Sequence, residues 1–177
     1  MNKGIIMSKG EYILFLGSDD CLHDNNVLSS IFSSEIDFHR FSIIYGNIWL
    51  EKANNIWGGK FNIYRFILEN LPHQAVFYHK TMFEKYGLYK IKYQILADKV
   101  FNLRWFRSKS IKKKFVNRVI SNFSGNGISS TSIDQKFEND KFKLYKKYIP
   151  FVYRLLFKYR KRKFFKFFHK KLMLQRF

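Results

Sequence analysis

The sequence predicts an α/β fold. Three observations carry that expectation. Short apolar runs with strand character alternate with stretches of helical periodicity. The 177 residues are 46% hydrophobic and 20% aromatic, far above a disordered chain and enough for a packed core. Their number suits one domain rather than two.

In chain order, residues 11–17 (EYILFLG) form a short apolar run behind the turn-prone Lys9-Gly10, which predicts a buried strand. It closes on Ser18-Asp19-Asp20. Asp24 is placed to cap a helix over Asn25–Ser33, where Val27, Leu28, Ile31 and Phe32 fall at helical spacing. Residues 42–50 (SIIYGNIWL) predict a second strand, and Asn54-Asn55 and Gly58-Gly59 mark loops. Residues 61–71 carry a helical pattern stopped by Pro72, and 75–78 a short strand. Residues 81–86 make a helical turn ended by Gly87. A helix begins at Asp98, 109–114 is a basic turn, and 115–123 is a strand closed by Gly125-Asn126-Gly127. From Ile133 the pattern is helical to Tyr148. After Pro150 a basic aromatic helix is expected over 151–177.

Charge divides the chain. Its 33 Lys and Arg stand against 13 Asp and Glu, a net charge of +20. Residues 141–177 hold 14 of the cations and no acid, so the rest carries only +6. Part of the basic and aromatic excess is compositional drift, since Lys outnumbers Arg 24 to 9 and Ala numbers only 3, as in AT-rich coding sequence. The single Cys21 excludes an internal disulfide and follows the acid pair without a His/Asn partner set, which argues against a nucleophile. No apolar run approaches the ~20 residues that span a bilayer. Residues 1–10 lack the apolar centre of a signal peptide.

Asp19-Asp20, at the C-terminal end of a hydrophobic strand, is the strongest chemical signal. Open α/β sheets bind ligands outside the carboxyl ends of their strands. A hard cation is held there by one or two carboxylates plus substrate phosphates. A turn before a helix would also use such a pair, and spacing alone does not choose between the two. Asp98, taken by itself, reads as a helix N-cap.

The order of several segments resembles a known family. Asn2-Lys3-Gly4-Ile5 followed by Gly10 to Asp20, then Pro72-His73-Gln74-Ala75-Val76-Phe77, Phe83-Glu84-Lys85-Tyr86-Gly87-Leu88-Tyr89, Ala97-Asp98 and Phe123 to Ser129 resemble the polysaccharide-forming branch of the family 2 glycosyltransferases. The resemblance covers residues 1 to about 130. It implies part of a GT-A (Rossmann-like) mixed sheet with flanking helices, followed by a basic C-terminal helical extension over 131–177. The implied activity is inverting transfer of a sugar from a nucleotide-sugar donor to a glycan or lipid-linked acceptor. Asp19 matches the metal-binding carboxylate of a D-x-D motif, holding Mg2+ or Mn2+ against the donor diphosphate. Gly17 stands where many relatives have that motif's first Asp. Asn2, Gly4, Ser18 and Asp20 fall at donor-binding positions, Asp98 at the catalytic base, and His73-Gln74 beside the acceptor pocket. Relatives open with β-α-β units that carry most of the nucleoside pocket. The resemblance therefore implies a chain lacking them, through a gene remnant, a late start or a separate chain, and one inactive alone.

Residues 151–177 interleave Phe, Tyr and Leu with Lys and Arg, which predicts an interfacial helix on anionic lipid. The corresponding location is cytoplasmic, at the inner face of the cell membrane. A solvated helix packed on the domain, or a nucleic-acid contact, would use similar residues. The alternative to an enzyme is a non-enzymatic basic binding module. It requires Asp19 and Asp98 to lie apart, whereas the transferase requires both at one cleft.

Overall fold

A computed structural model describes residues 1–33, 41–127 and 132–152. The helix expected over 151–177 and the Ile128-Ser129 end of the last motif lie outside or almost outside them. The elements are α1 (Asn2–Met7), β1 (Tyr12–Ile13), β2 (Cys21–Leu22), α2 (Val27–Ile31), β3 (Ile43–Leu50), β4 (Asn55–Trp57), α3 (Ile63–Leu68), β5 (Val76–His79), α4 (Thr81–Tyr86), α5 (Ala97–Trp105), β6 (Lys113–Phe123) and α6 (Gln135–Tyr148). A 3-10 turn, His73–Ala75, leads into β5.

The sheet is mixed, in the order β1-β5-β3-β6-β2, with β4 hairpinned onto β3. β3 pairs antiparallel with β5 and parallel with β6. Alternation along the strands divides the core in two. Ile43, Tyr45, Val76 and Tyr78 face the larger cluster with Phe66, Phe101, Trp105 and Phe137, beneath α3, α4, α5 and α6. Ile44, Ile48, Phe77 and Ile120 face the smaller one with Val27 and Ile31 of α2. With both faces covered, the strands read as continuous apolar runs rather than alternating ones. The β3–β6 register shifts around Asn47, a bulge. Gly46 permits it, because a Cβ there would lie 2.6 Å from the Arg118 carbonyl oxygen.

Two expectations are corrected. The buried strand over 11–17 shortens to β1, the outermost strand, paired only with β5 among the described residues. A strand with one neighbour keeps ladder bonds only where that neighbour reaches, here opposite Tyr78 and His79. Asp24 does not cap α2 directly. Its Oδ1 accepts from the Asn26 backbone N at 2.8 Å and from Arg118 Nη2 at 2.7 Å, and the helix starts three residues later. The start of the 131–177 region is part of the core: Phe137, Leu144 and Tyr145 of α6 are buried in the larger cluster.

Candidate active site

Two groups of residues meet at the end of the sheet where β6 finishes. The first is the loop after β1. Gly17 N donates to Asp20 Oδ2 at 3.1 Å, and Asp20 N to the Gly17 carbonyl at 3.2 Å. A Cβ on Gly17 would sit 2.8 Å from Asp20 Oδ2 and 3.1 Å from Asp19 Oδ1, so both carboxylates converge on that glycine. A side chain at 17 would press on both carboxylate ends and shift them. Ser124 Oγ, one residue past β6, donates to Asp19 Oδ2 and accepts from Asn126 N at 3.2 Å. Asp19 is exposed, while Asp20 Oδ1 is shut away from solvent with no hydrogen-bond partner.

The second group surrounds the start of α5. Asp134 sets its position. One carboxylate oxygen caps α6 through Phe137 N at 2.9 Å, and the other accepts from Ile95 N and Leu96 N at 3.0 Å each. Burial pushes the Asp134 carboxyl up, but the backbone donors outweigh it and hold it below the usual value. Asp98 follows in the first turn of α5 and is 6% exposed. Its Oδ1 accepts from Lys99 N at 2.6 Å and its Oδ2 from Asn70 Nδ2 at 2.7 Å. His73 Nδ1 lies 3.7 Å from the same Oδ2. Lys99 Nζ reaches the carbonyls of Ile67 and Glu69 at 3.4 and 3.2 Å, clamping the chain on either side of Asn70's helix end. Burial, then the charge of Lys141, pulls the Lys99 ammonium down to about 8.

His73 joins the groups. Burial lowers its imidazole, yet the contact with Asp98 and the charges of Asp98 and Asp20 outweigh burial and lift it above the ordinary histidine value. The Asp20 loop and Asp98 are thus close enough to act on one ring.

Compared with known proteins, the chain is 31% identical over 139 residues to a protein named PGL/p-HBAD biosynthesis glycosyltransferase in Mycobacterium bovis, and equally to the one so named in Mycobacterium tuberculosis. The matched region is 77% of this chain and 54% of the relative, so the chain spans about half the length of the curated relatives it matches. The chain is related to glycosyltransferases. Its fold is shared with residues 1–349 of Staphylococcus aureus TarS, at a TM-score of 0.51 and 15% identity, over 70% of this chain and 39% of that one. No protein-family model matches the chain.

Within this glycosyltransferase-related chain, the residues singled out from sequence separate. His73 lies against Asp98 and feels the charge of Asp20, whose neighbour Asp19 shares the Gly17 loop. Ser18 is exposed beside the acid pair, and Gln74 is buried at 5% exposure under the sheet end. Asn2 uses both ends of its amide on the Tyr89 backbone, at 2.9 and 3.0 Å, so it fastens α1 to that loop. Gly4 lies exposed on α1 with nothing within 4 Å of a Cβ placed there. Asn70, Lys99 and the bonding role of Ser124 were not legible: each is a common polar residue whose partner lies far away in sequence. Only the Ser-Gly-Asn-Gly turn after a strand marks Ser124's place.

Among the described residues no group of three or more His, Cys, Asp and Glu could enclose a metal ion. Two convergent carboxylates, one with an orphaned buried oxygen, nevertheless fit a hard cation whose remaining ligands come from phosphates and water.

Proposed function

We propose that the chain forms the sugar-transfer part of a GT-A, family 2 glycosyltransferase that takes a nucleotide-sugar donor and builds a cell-surface polysaccharide. What supports the reading is the meeting of His73 with Asp98 at 3.7 Å, under the charge of Asp20, whose carboxylate converges with that of Asp19 on Gly17. A non-enzymatic basic module has no use for that meeting.

In this reading Asp19, held by Ser124, and Asp20 would hold Mg2+ or Mn2+. The bound cation would supply charge stabilisation to the departing diphosphate. Ser18 lies next to the same anion. An acceptor hydroxyl, from a glycan or lipid-linked sugar, reaches Asp98 past His73. Its oxygen forms the new bond to the anomeric carbon as the bond from that carbon to the diphosphate oxygen breaks. The hydroxyl proton passes to the Asp98 carboxylate. Attack opposite the leaving group inverts the anomeric centre. Asn70 and the Lys99 backbone N–H fix the carboxylate in place, so little reorganisation is needed at reaction. Gln74, next in the same turn, would share the acceptor side with His73. The basic residues of 141–177 would hold the enzyme peripherally at the cytoplasmic face of the membrane.

Asp98→Asn tests this reading. In the chain fused behind a relative's N-terminal β-α-β units, transfer or donor hydrolysis, assayed over a panel of nucleotide sugars with Mn2+, should fall ~10²–10⁴-fold while diphosphate binding stays unchanged. Activity within a few-fold of the parent would make Asp98 a helix cap and nothing more.

A further inference from the structure

We propose that the end of the molecule opposite the acid cluster docks on an anionic phospholipid surface, so that the cleft faces the aqueous side. The two ends differ sharply in charge. The cleft end presents Asp19, Asp20, Asp24 and Glu51, against Lys52 and the Asp24-paired Arg118. At the other end the turn between α5 and β6 reads Arg107, Ser108, Lys109, Ser110, Ile111, Lys112, Lys113, Lys114, with no acid. Arg107, Lys109, Lys112 and Lys113 are exposed.

The topology brings a second basic element to this turn. α5 and α6 start near each other, joined through Asp134 and the Ile95 and Leu96 N–H groups. Both run away from the cleft, and Arg107 Nη1 meets the carbonyl of Tyr148, the last residue of α6, at 3.3 Å. The exposed Lys146 and Lys147 thereby join the cationic end. Phe151 and Val152, each 63% exposed, follow at once. Cations rimming exposed apolar side chains suit the lipid interface, where charge meets headgroup phosphate and apolar groups sink beside it. An open groove lined by Thr81, Lys85 and Ser110, with Glu84 the acid in it, also lies at this end and holds none of the cleft residues.

The separation is large compared with the reach of surface charge. From Lys113 to Asn122, the partner of Cys21, β6 runs nine residues, roughly 30 Å at ~3.3 Å per residue. The Debye length at physiological salt is ~8 Å. An anionic bilayer on the basic end leaves the acids beyond its field, whereas one on the cleft end meets them directly. Joined to the transferase reading, on which this last step alone rests, the acceptor reaches Asp98 from the aqueous side, as a glycan end extended away from the bilayer.

Cys21 is exposed, unique and at the cleft end, which makes it a natural reporter. The experiment uses the full chain with a fluorophore on Cys21, and in parallel Cys21→Ser/Ser110→Cys labelled at 110. Vesicles of 3:1 phosphatidylcholine and phosphatidylglycerol carry a headgroup nitroxide quencher. Sedimentation with these vesicles, weak with phosphatidylcholine alone, should accompany quenching several-fold stronger at 110 than at 21. Arg107→Glu/Lys109→Glu/Lys112→Glu should lower binding by roughly tenfold or more, given about five-fold per basic residue near such a surface. Equal or stronger quenching at 21, unchanged binding of the triple variant, absent sedimentation, or preference for single-stranded DNA over vesicles would each overturn the proposal. No sugar donor is present, so its failure leaves the transferase reading untouched, and the reverse also holds.

Discussion

The two halves of the cleft are built by different means. Asp98 is buried, accepts from Asn70 and its own helix start, and stands on α5 over an aromatic floor in which Phe83 and Phe101 stack at 4.9 Å and Trp105 is fully buried. Asp19 and Asp20 sit on a short loop, shaped by local bonds to Gly17 and one tether from Ser124. On the proposed reading Asp98 is the proton acceptor, which must be fixed before the substrate arrives, and packing does that. On the same reading the loop carboxylates would complete their coordination only when cation and diphosphate bind, which suits Asp20's orphaned oxygen.

That contrast can be broken from the packed side. Trp105→Ala should destabilise the fold by about 3–5 kcal/mol, since it empties a fully buried position under α5. Leu16→Ala, at a 39% exposed position on the acid loop, should cost within ~0.5 kcal/mol. Urea unfolding of the two variants gives the comparison, and similar losses would mean that the loop is packed as firmly as the helix. Asn70→Ala probes the support of Asp98 more narrowly. It removes a hydrogen bond to a charged group, worth about 1.5–3 kcal/mol, so turnover should fall on the order of ten- to a hundred-fold. Diphosphate affinity should hold, because Asn70 does not touch the loop bonds. A loss in affinity instead would place Asn70 on the donor side.

A pH-dependent effect is expected from Lys99. Its folded value near 8 lies below the ordinary 10.5, so between those values the unfolded chain binds more protons. Stability contributed at this site therefore rises with pH across that window, by at most about 1.4 kcal/mol per pH unit. Unfolding of the parent and of Lys99→Met at pH 7.5 and 9.5 reads it: the difference should move in the parent's favour at the higher pH. A constant difference would mean Lys99 carries no perturbed proton.

Much of this arrangement was legible in the sequence. The α4 turn over 81–86 with its Gly87 end, the strand expected over 75–78 and found at Val76–His79, and the helix carrying Asp98 follow from periodicity and stop signals, which are local. The acid pair was visible as two carboxylates closing an apolar run, but only the family resemblance, not the spacing, suggested a role for it. What stayed hidden depends on the third dimension. β1's place at the sheet edge is decided by partners, not by its own apolar residues. Asn2 resembles a ligand-binding position yet ties α1 to Tyr89, since an amide offers the same donor and acceptor to backbone as to nucleotide. Asn70 joins Asp98 across 28 residues with no pattern to announce it.

The central claim, that one cleft holds a ligand-completed acid loop and a pre-set base, is tested most directly by calorimetry with nucleoside diphosphates. The parent, Asp19→Ala and Asp98→Asn, each fused behind a relative's N-terminal β-α-β units, would be titrated with a panel including UDP, GDP and dTDP, with and without Mn2+. The account predicts Mn2+-dependent binding of at least one diphosphate to the parent, its loss in Asp19→Ala, and its retention within a few-fold in Asp98→Asn. Binding that ignores Mn2+ or survives Asp19→Ala, or a parent that binds no diphosphate at all, would contradict it.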